Sequence, residues 1–237
     1  MQENKKTART AGFIYLIVIL NGFFFLKYVP SRLIVWNDPA TTLYNIRASE
    51  TLFRLGILSE IIGYTAWLLL PLVLYRLLKP VNKTWAVLML AFAIAIVPIA
   101  FSNLENKYAV LTLLDQANSL KGPESDKLPG QVLKYLQFYD NGNQISSVFW
   151  GLWLLPFGYL VFRSGFIPRV LGILLMFGCL GYLTIFTGNL LFPGNSEMRY
   201  LNYIRLPGSI GELGICLWLM VVGVKDRTEI PAAKSNP

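Results

Sequence analysis

Six stretches of this chain stay apolar for about 20 residues, the length an α-helix needs to cross the hydrocarbon core of a bilayer. They are 11–29, 56–75, 85–103, 145–162, 170–192 and 206–224. Charged and turn-forming residues gather between them. The pattern predicts an all-α, polytopic membrane protein, a six-transmembrane-helix bundle that forms one integral membrane domain. The first stretch opens on Lys5, Lys6 and Arg9, as a signal peptide would, but runs on through Asn21-Gly22-Phe23-Phe24-Phe25-Leu26 with no small-residue cleavage site after it. It is expected to be a retained helix, with Lys27 snorkelling to the interface.

The connections carry elements of their own. Asn37-Asp38-Pro39 is a helix start, with Asp38 as N-cap and Pro39 in the first turn. A short amphipathic helix through Arg47 is expected there, lying on the membrane surface. Glu50 and Arg54 stand four apart and can pair on one helix face, so the second helix is expected to start before its apolar run. In 104–144, residues 108–114 extend the third helix or re-enter the bilayer, and 131–139 read as a short amphipathic helix. Residues 121–130 between them are rich in turn formers and read as a solvated loop. No internal repeat supports an inverted-repeat transporter.

Composition agrees with a lipid environment. The chain is 54% hydrophobic and 14% charged, against roughly 45–50% and 25% in soluble domains. The net charge of +8 flanks the apolar runs instead of forming a stripe, so it reads as topology and not as a nucleic-acid surface. With the N-terminus inside, segments 1–10, 76–84, 163–169 and 225–237 hold 11 basic and 3 acidic residues in 39. The opposite segments, 27–55, 104–144 and 193–205, hold 10 basic and 8 acidic residues in 83. Basic density is more than doubled on the first side, which places both termini in the cytoplasm. The expected location is the cell membrane, multi-pass, as in a bacterial inner membrane.

Candidate chemistry is sparse. The chain has no histidine, which removes imidazole acid–base catalysis, His-ligated metals and axial-His haem. Cys179 and Cys216 lie in apolar runs and read as small core residues. Gly208-Ser209-Ile210-Gly211-Glu212-Leu213-Gly214 is glycine-rich but lacks the lysine and preceding strand of a phosphate loop. Its glycines, with Gly178 and Gly181, let the fifth and sixth helices approach closely. No catalytic motif, metal site or cofactor is expected.

Two carboxylates stand out within the spans. Glu60 lies roughly 6 Å deep in the second helix and Glu212 roughly 9 Å deep in the sixth, both from the outer end at the helix rise of 1.5 Å per residue. Ionisable residues in a span usually face the bundle interior or a cavity. Asn21, Asn103 and Asn189 fall near the same level, with Arg54 and Arg205 at the outer helix ends. Together these seven residues are the candidate lining of an outward-facing pocket. The two carboxylates are expected within about 12 Å of each other, the reach of adjacent helices. In the alternative, Arg54 and Arg205 neutralise them and the asparagines bond between helices.

Several blocks look familiar together. They are Ala8-Arg9-Thr10-Ala11-Gly12-Phe13-Ile14-Tyr15-Leu16, Leu52-Phe53-Arg54-Leu55-Gly56-Ile57, and the sequence from Leu74-Tyr75-Arg76 to Val81-Asn82. Arg163-Ser164-Gly165-Phe166-Ile167-Pro168-Arg169 and Gly211-Glu212-Leu213 with Trp218-Leu219 complete the set. In order and spacing they resemble the bacterial membrane family called domain of unknown function 4386. The resemblance spans about 8–224, covers Arg54 and Glu212 but not Glu60, and implies a prokaryotic multi-pass membrane protein without an assigned activity. The family often has a histidine near Asp140, Gly142 and Gln144; this chain has none.

Three functions fit. The first is binding or transport of a small or amphipathic ligand in the outward-facing pocket. The others are a structural or accessory membrane subunit and an enzyme acting on lipid head groups. The expected partners are the lipid bilayer and a small-molecule or lipid ligand, with no nucleic acid.

Overall fold

The computed structural model describes residues 2–116, 123–192 and 203–224. Part of the turn-rich 121–130 loop, most of the 193–205 connection and the tail 225–237 lie outside the described residues.

Every described element is helical, and six helical stretches are long and apolar enough to span a membrane. The first is built from α1 (Gln2–Phe23), a π-turn (Phe24–Tyr28) and α2 (Val29–Leu33). The π-turn precedes Pro30, whose ring nitrogen has no hydrogen to give the Leu26 carbonyl. Val29 N–H reaches back to the Phe24 carbonyl instead, which inserts one extra residue into the turn.

A surface helix, α3 (Pro39–Ala48), follows as expected. Asp38 caps it, accepting from Thr41 N–H at 3.0 Å and Thr41 O–H at 2.6 Å. The hydroxyl bond, then the backbone bond, hold the Asp38 carboxyl below its ordinary range. The second span, α4 (Glu50–Leu78), does begin ahead of its apolar run, with Arg54 Nε 2.7 Å from Glu50 Oε1.

The third span is α5 (Lys83–Asn103), continued past a break at Leu104 by α6 (Glu105–Gln116). Residues 108–114 thus extend the span. The fourth is longer than its apolar run: α7 (Pro123–Leu152) leads into α8 (Leu154–Ser164). Residues 131–139 form the middle of α7 and not a separate short helix, and the turn-former run from Pro123 to Gly130 is already helical. The reason is packing, because Leu128, Val132 and Leu136 recur every four residues and are all buried. Gly165, at φ 75°, turns the chain into α9 (Arg169–Leu191). The sixth span centres on α10 (Leu206–Val221).

The bundle has two apolar cores. The larger lies within the spans and includes Tyr15, Leu70, Met89, Trp153, Phe157 and Ile215. The smaller forms a cap at the end far from the N-terminus, where Leu33, Ile46, Phe53, Val110, Leu114 and Val132 meet. Outward-facing residues on the spans are apolar, such as Leu20, Leu58, Leu180 and Leu217, as lipid contact requires. The fifth and sixth spans touch as expected. Gly178 faces Gly208 so closely that a Cβ on the first would stand 2.5 Å from the Cα of the second.

Candidate functional site

The lower halves of α1 and α10 are packed tightly. Gly12 lies against Met220, and the Cys216 thiol points at the Gly12 carbonyl at 3.4 Å. One turn further along α1, Tyr15 donates to Glu212 Oε1 at 2.8 Å. Beyond that bond the two helices part around a cavity of about 530 Å³, within the roughly 300–1,000 Å³ of small-molecule sites.

Its inner wall is aromatic. Trp67 meets the edge of Trp153 at 4.8 Å between centroids, and Tyr15 meets the same ring at 6.3 Å. Tyr182 packs against Trp150 at 6.5 Å on the α9 side. Val18, Ile19 and Gly22 from α1 and Leu206 and Ser209 from α10 line the other side of the cavity. Towards the far end the cavity joins a polar lobe of about 350 Å³ that holds Asp140, Asn143, Gln144, Ser147 and Asn189. The two parts share Phe25, Leu26 and Lys27, which are the residues the π-turn re-aims. Single π-turns inside α-helices are frequent at functional sites.

Besides Lys27 of the first span, the charged groups of the cavity sit on one face of the sixth span. Arg205, Ser209 and Glu212 stand at i, i+4 and i+7 and all line it. Arg205 and Glu212 are about 10 Å apart along the axis. Among the described residues no carboxylate lies within 4.0 Å of Arg205 and no cation lies that close to Glu212. The Arg205 guanidinium rests over the Tyr182 ring at 5.3 Å, while its buried Nε–H has no partner among the described residues. The Tyr64 hydroxyl, on a side chain 4% exposed that lines the same cavity, also lacks one. Such orphaned buried groups are rare and call for an explanation.

Glu60 has different surroundings. It is fully buried, with Lys107 Nζ 2.6 Å from Oε2 and Tyr139 donating to Oε1 at 2.8 Å. The ammonium of Lys107 also sits 3.9 Å from the centroid of the Tyr139 ring. A carboxylate out of water is tolerable only when its lone pairs are met by charge and hydrogen bonds in this way. The triad stands where the spanning core gives way to the cap. Tyr139 and Phe25 separate it from the polar lobe, which they line. Neither carboxylate points to lipid, as expected, but only Glu212 lines the cavity.

The remaining candidates scatter. Arg54 pairs on the surface with Glu50 and, at 3.7 Å, with Asp115. It does not neutralise Glu60, because it sits on the exposed side of α4. Asn21 bonds between helices, accepting from Ser59 at 2.7 Å and donating to the Ile17 carbonyl at 2.8 Å. Asn103 is buried and donates to the Tyr139 carbonyl at 2.8 Å, filling the space left by Gly142. Asn189 lines the rim of the polar lobe. Lys107 was not anticipated, because it follows the apolar run and counts as a loop charge. Its signal was periodicity: Asn103, Lys107, Val110, Leu111 and Leu114 continue one buried helical stripe.

The chain is 28% identical to an uncharacterized protein of Archaeoglobus fulgidus over 155 residues, which are 64% of this chain and 74% of that one. No solved structure matches it. The family described as "Domain of unknown function (DUF4386)" matches residues 10–223. As that match runs from the first span into the last, the chain belongs to this family.

Proposed function

We propose that this protein holds a small amphipathic molecule, for binding or for transport, in the cavity between the first and sixth spans. The observation that carries the reading is the pairing of an aromatic wall with two opposite charges, Arg205 and Glu212, that face the same space without meeting each other. An apolar body fits against Trp67 and Trp153, and a polar head fits the charged face of α10. Leu206 and Ser209 line the cavity and are exposed at the outside of the bundle, which suits entry from the bilayer. The charge distribution along the chain supports both termini inside, so that the polar lobe opens outward from a bacterial inner membrane.

The Glu60–Lys107–Tyr139 triad favours a structural role for that carboxylate. Its charge is met on both oxygens, and it ties α4, α6 and α7 together beneath the cap.

Native mass spectrometry of the protein released from its membrane tests the proposal. Wild type should retain a bound amphiphile, and Ser209→Trp, which fills the cavity from its rim, should lose it while keeping its helix content. Retention of the same mass by both proteins would refute the assignment of the cavity.

A further inference from the structure

Among the described residues, the charges around the cavity are balanced. Arg205 and Lys27 supply two positive groups and Glu212 and Asp140 two negative ones, divided between the aromatic chamber and the polar lobe. A ligand with one net charge would leave one set unmet. The positive and negative groups of α10 stand two helical turns apart, with the Ser209 hydroxyl between them. That spacing is too long for a direct ion pair, and none forms. The surroundings of each charge also differ. Glu212 is held by Tyr15 beside the Trp153 ring, a carboxylate next to aromatic faces, which is the chemistry that recognises an organic ammonium. Arg205 offers an unpartnered buried N–H at the junction with the polar lobe, the chemistry that recognises a phosphate or carboxylate. The orphaned Tyr64 hydroxyl gives the same chamber another unmet hydrogen-bonding group.

From this arrangement we infer that the ligand is zwitterionic, with its ammonium at Glu212 and its anionic group at Arg205. The inference rests on the cavity reading above and narrows it to one class of head group. The source is either a zwitterionic lipid or a free zwitterionic solute.

The test uses the full chain in a neutral maltoside detergent, with Trp fluorescence and melting temperature as readouts. The probes are hexylphosphocholine, hexyltrimethylammonium, hexyl methyl phosphate and free phosphocholine. Hexylphosphocholine should half-saturate at a concentration about tenfold below either singly charged probe, because each of those lacks one of its two charge contacts. Glu212→Gln should remove its advantage over hexyl methyl phosphate, and Arg205→Gln its advantage over hexyltrimethylammonium. Ser209→Trp should abolish every response. A singly charged probe that binds wild type as tightly as the zwitterion overturns the inference and leaves the cavity reading standing. No response to any probe, or responses that survive Ser209→Trp, overturn both. Free phosphocholine binding as tightly as its hexyl ester keeps the zwitterion and overturns the amphipathic ligand.

Discussion

Lys107 and Glu60 form a buried ion pair with one further hydrogen bond, from Tyr139. Such a pair adds little net stability over a well-packed apolar substitute, but stranding one charge is expensive. Lys107→Met should therefore destabilise the protein by about 3–5 kcal/mol. Adding Glu60→Gln to it should recover most of the loss, because no lone charge then remains. Thermal unfolding of both variants in detergent gives the coupling directly, and additive losses would contradict it. Charge at Glu212 has a different status. Tyr15 supplies one hydrogen bond, and among the described residues no cation pairs with Glu212.

At the scale of elements, glycines set how closely the spans approach. Gly178 meets Gly208, and Gly158 and Gly172 face each other so that either Cβ would lie 2.6 Å from the other's carbonyl oxygen. Backbone cannot yield as a flexible side chain can. Gly178→Val should cost about 1–3 kcal/mol by overpacking. Gly22 is the contrast, since a Cβ there meets nothing within 4 Å. Gly22→Ala should be neutral or stabilise by up to about 1 kcal/mol through helix propensity. Melting temperatures that fall equally for the two would show that the contact between the fifth and sixth spans is not tight. Prolines act at the same scale. Pro30 accompanies the π-turn that brings Phe25, Leu26 and Lys27 to the cavity, and Pro156 has no N–H to give the Leu152 carbonyl where α7 gives way to α8.

For the whole molecule, the cap and the bundle share four long helical stretches: the first span from α1 to α2, α4, α5 with α6, and α7 with α8. The basic segments 76–84 and 163–169 lie at the opposite end, with the N-terminus. A reporter active only in the cytoplasm should work when fused after Val224 and fail when inserted between positions 115 and 130. The reverse pattern would invert the molecule and turn the cavity mouth towards the cytoplasm. Six helical stretches also explain how a chain with apolar exterior positions such as Leu58, Phe177 and Leu217 satisfies its backbone, because within lipid each helix must meet its own N–H and C=O groups.

The spans, the Asp38 cap and the Glu50–Arg54 pair were legible from the sequence, and so was the contact between the fifth and sixth spans. Each follows from short-range rules: apolar length, capping chemistry, or residues three and four apart. The inward direction of Glu60 and Glu212 followed from the cost of charge in lipid. Which group answers each carboxylate did not, since it depends on helix neighbours separated by tens of residues. Lys107 reaches Glu60 because α6 continues α5 past its apolar end, and Tyr139 reaches it because α7 is one long helix. Arg54 and Glu60, six residues apart, fall on different sides of α4, so the nearest cation in sequence was not the partner in space. The ladder of Arg205, Ser209 and Glu212 was written in the chain at helical spacing. That it faces a cavity and not a neighbouring helix was decided by α1, which packs on α10 up to Tyr15 and then leaves it.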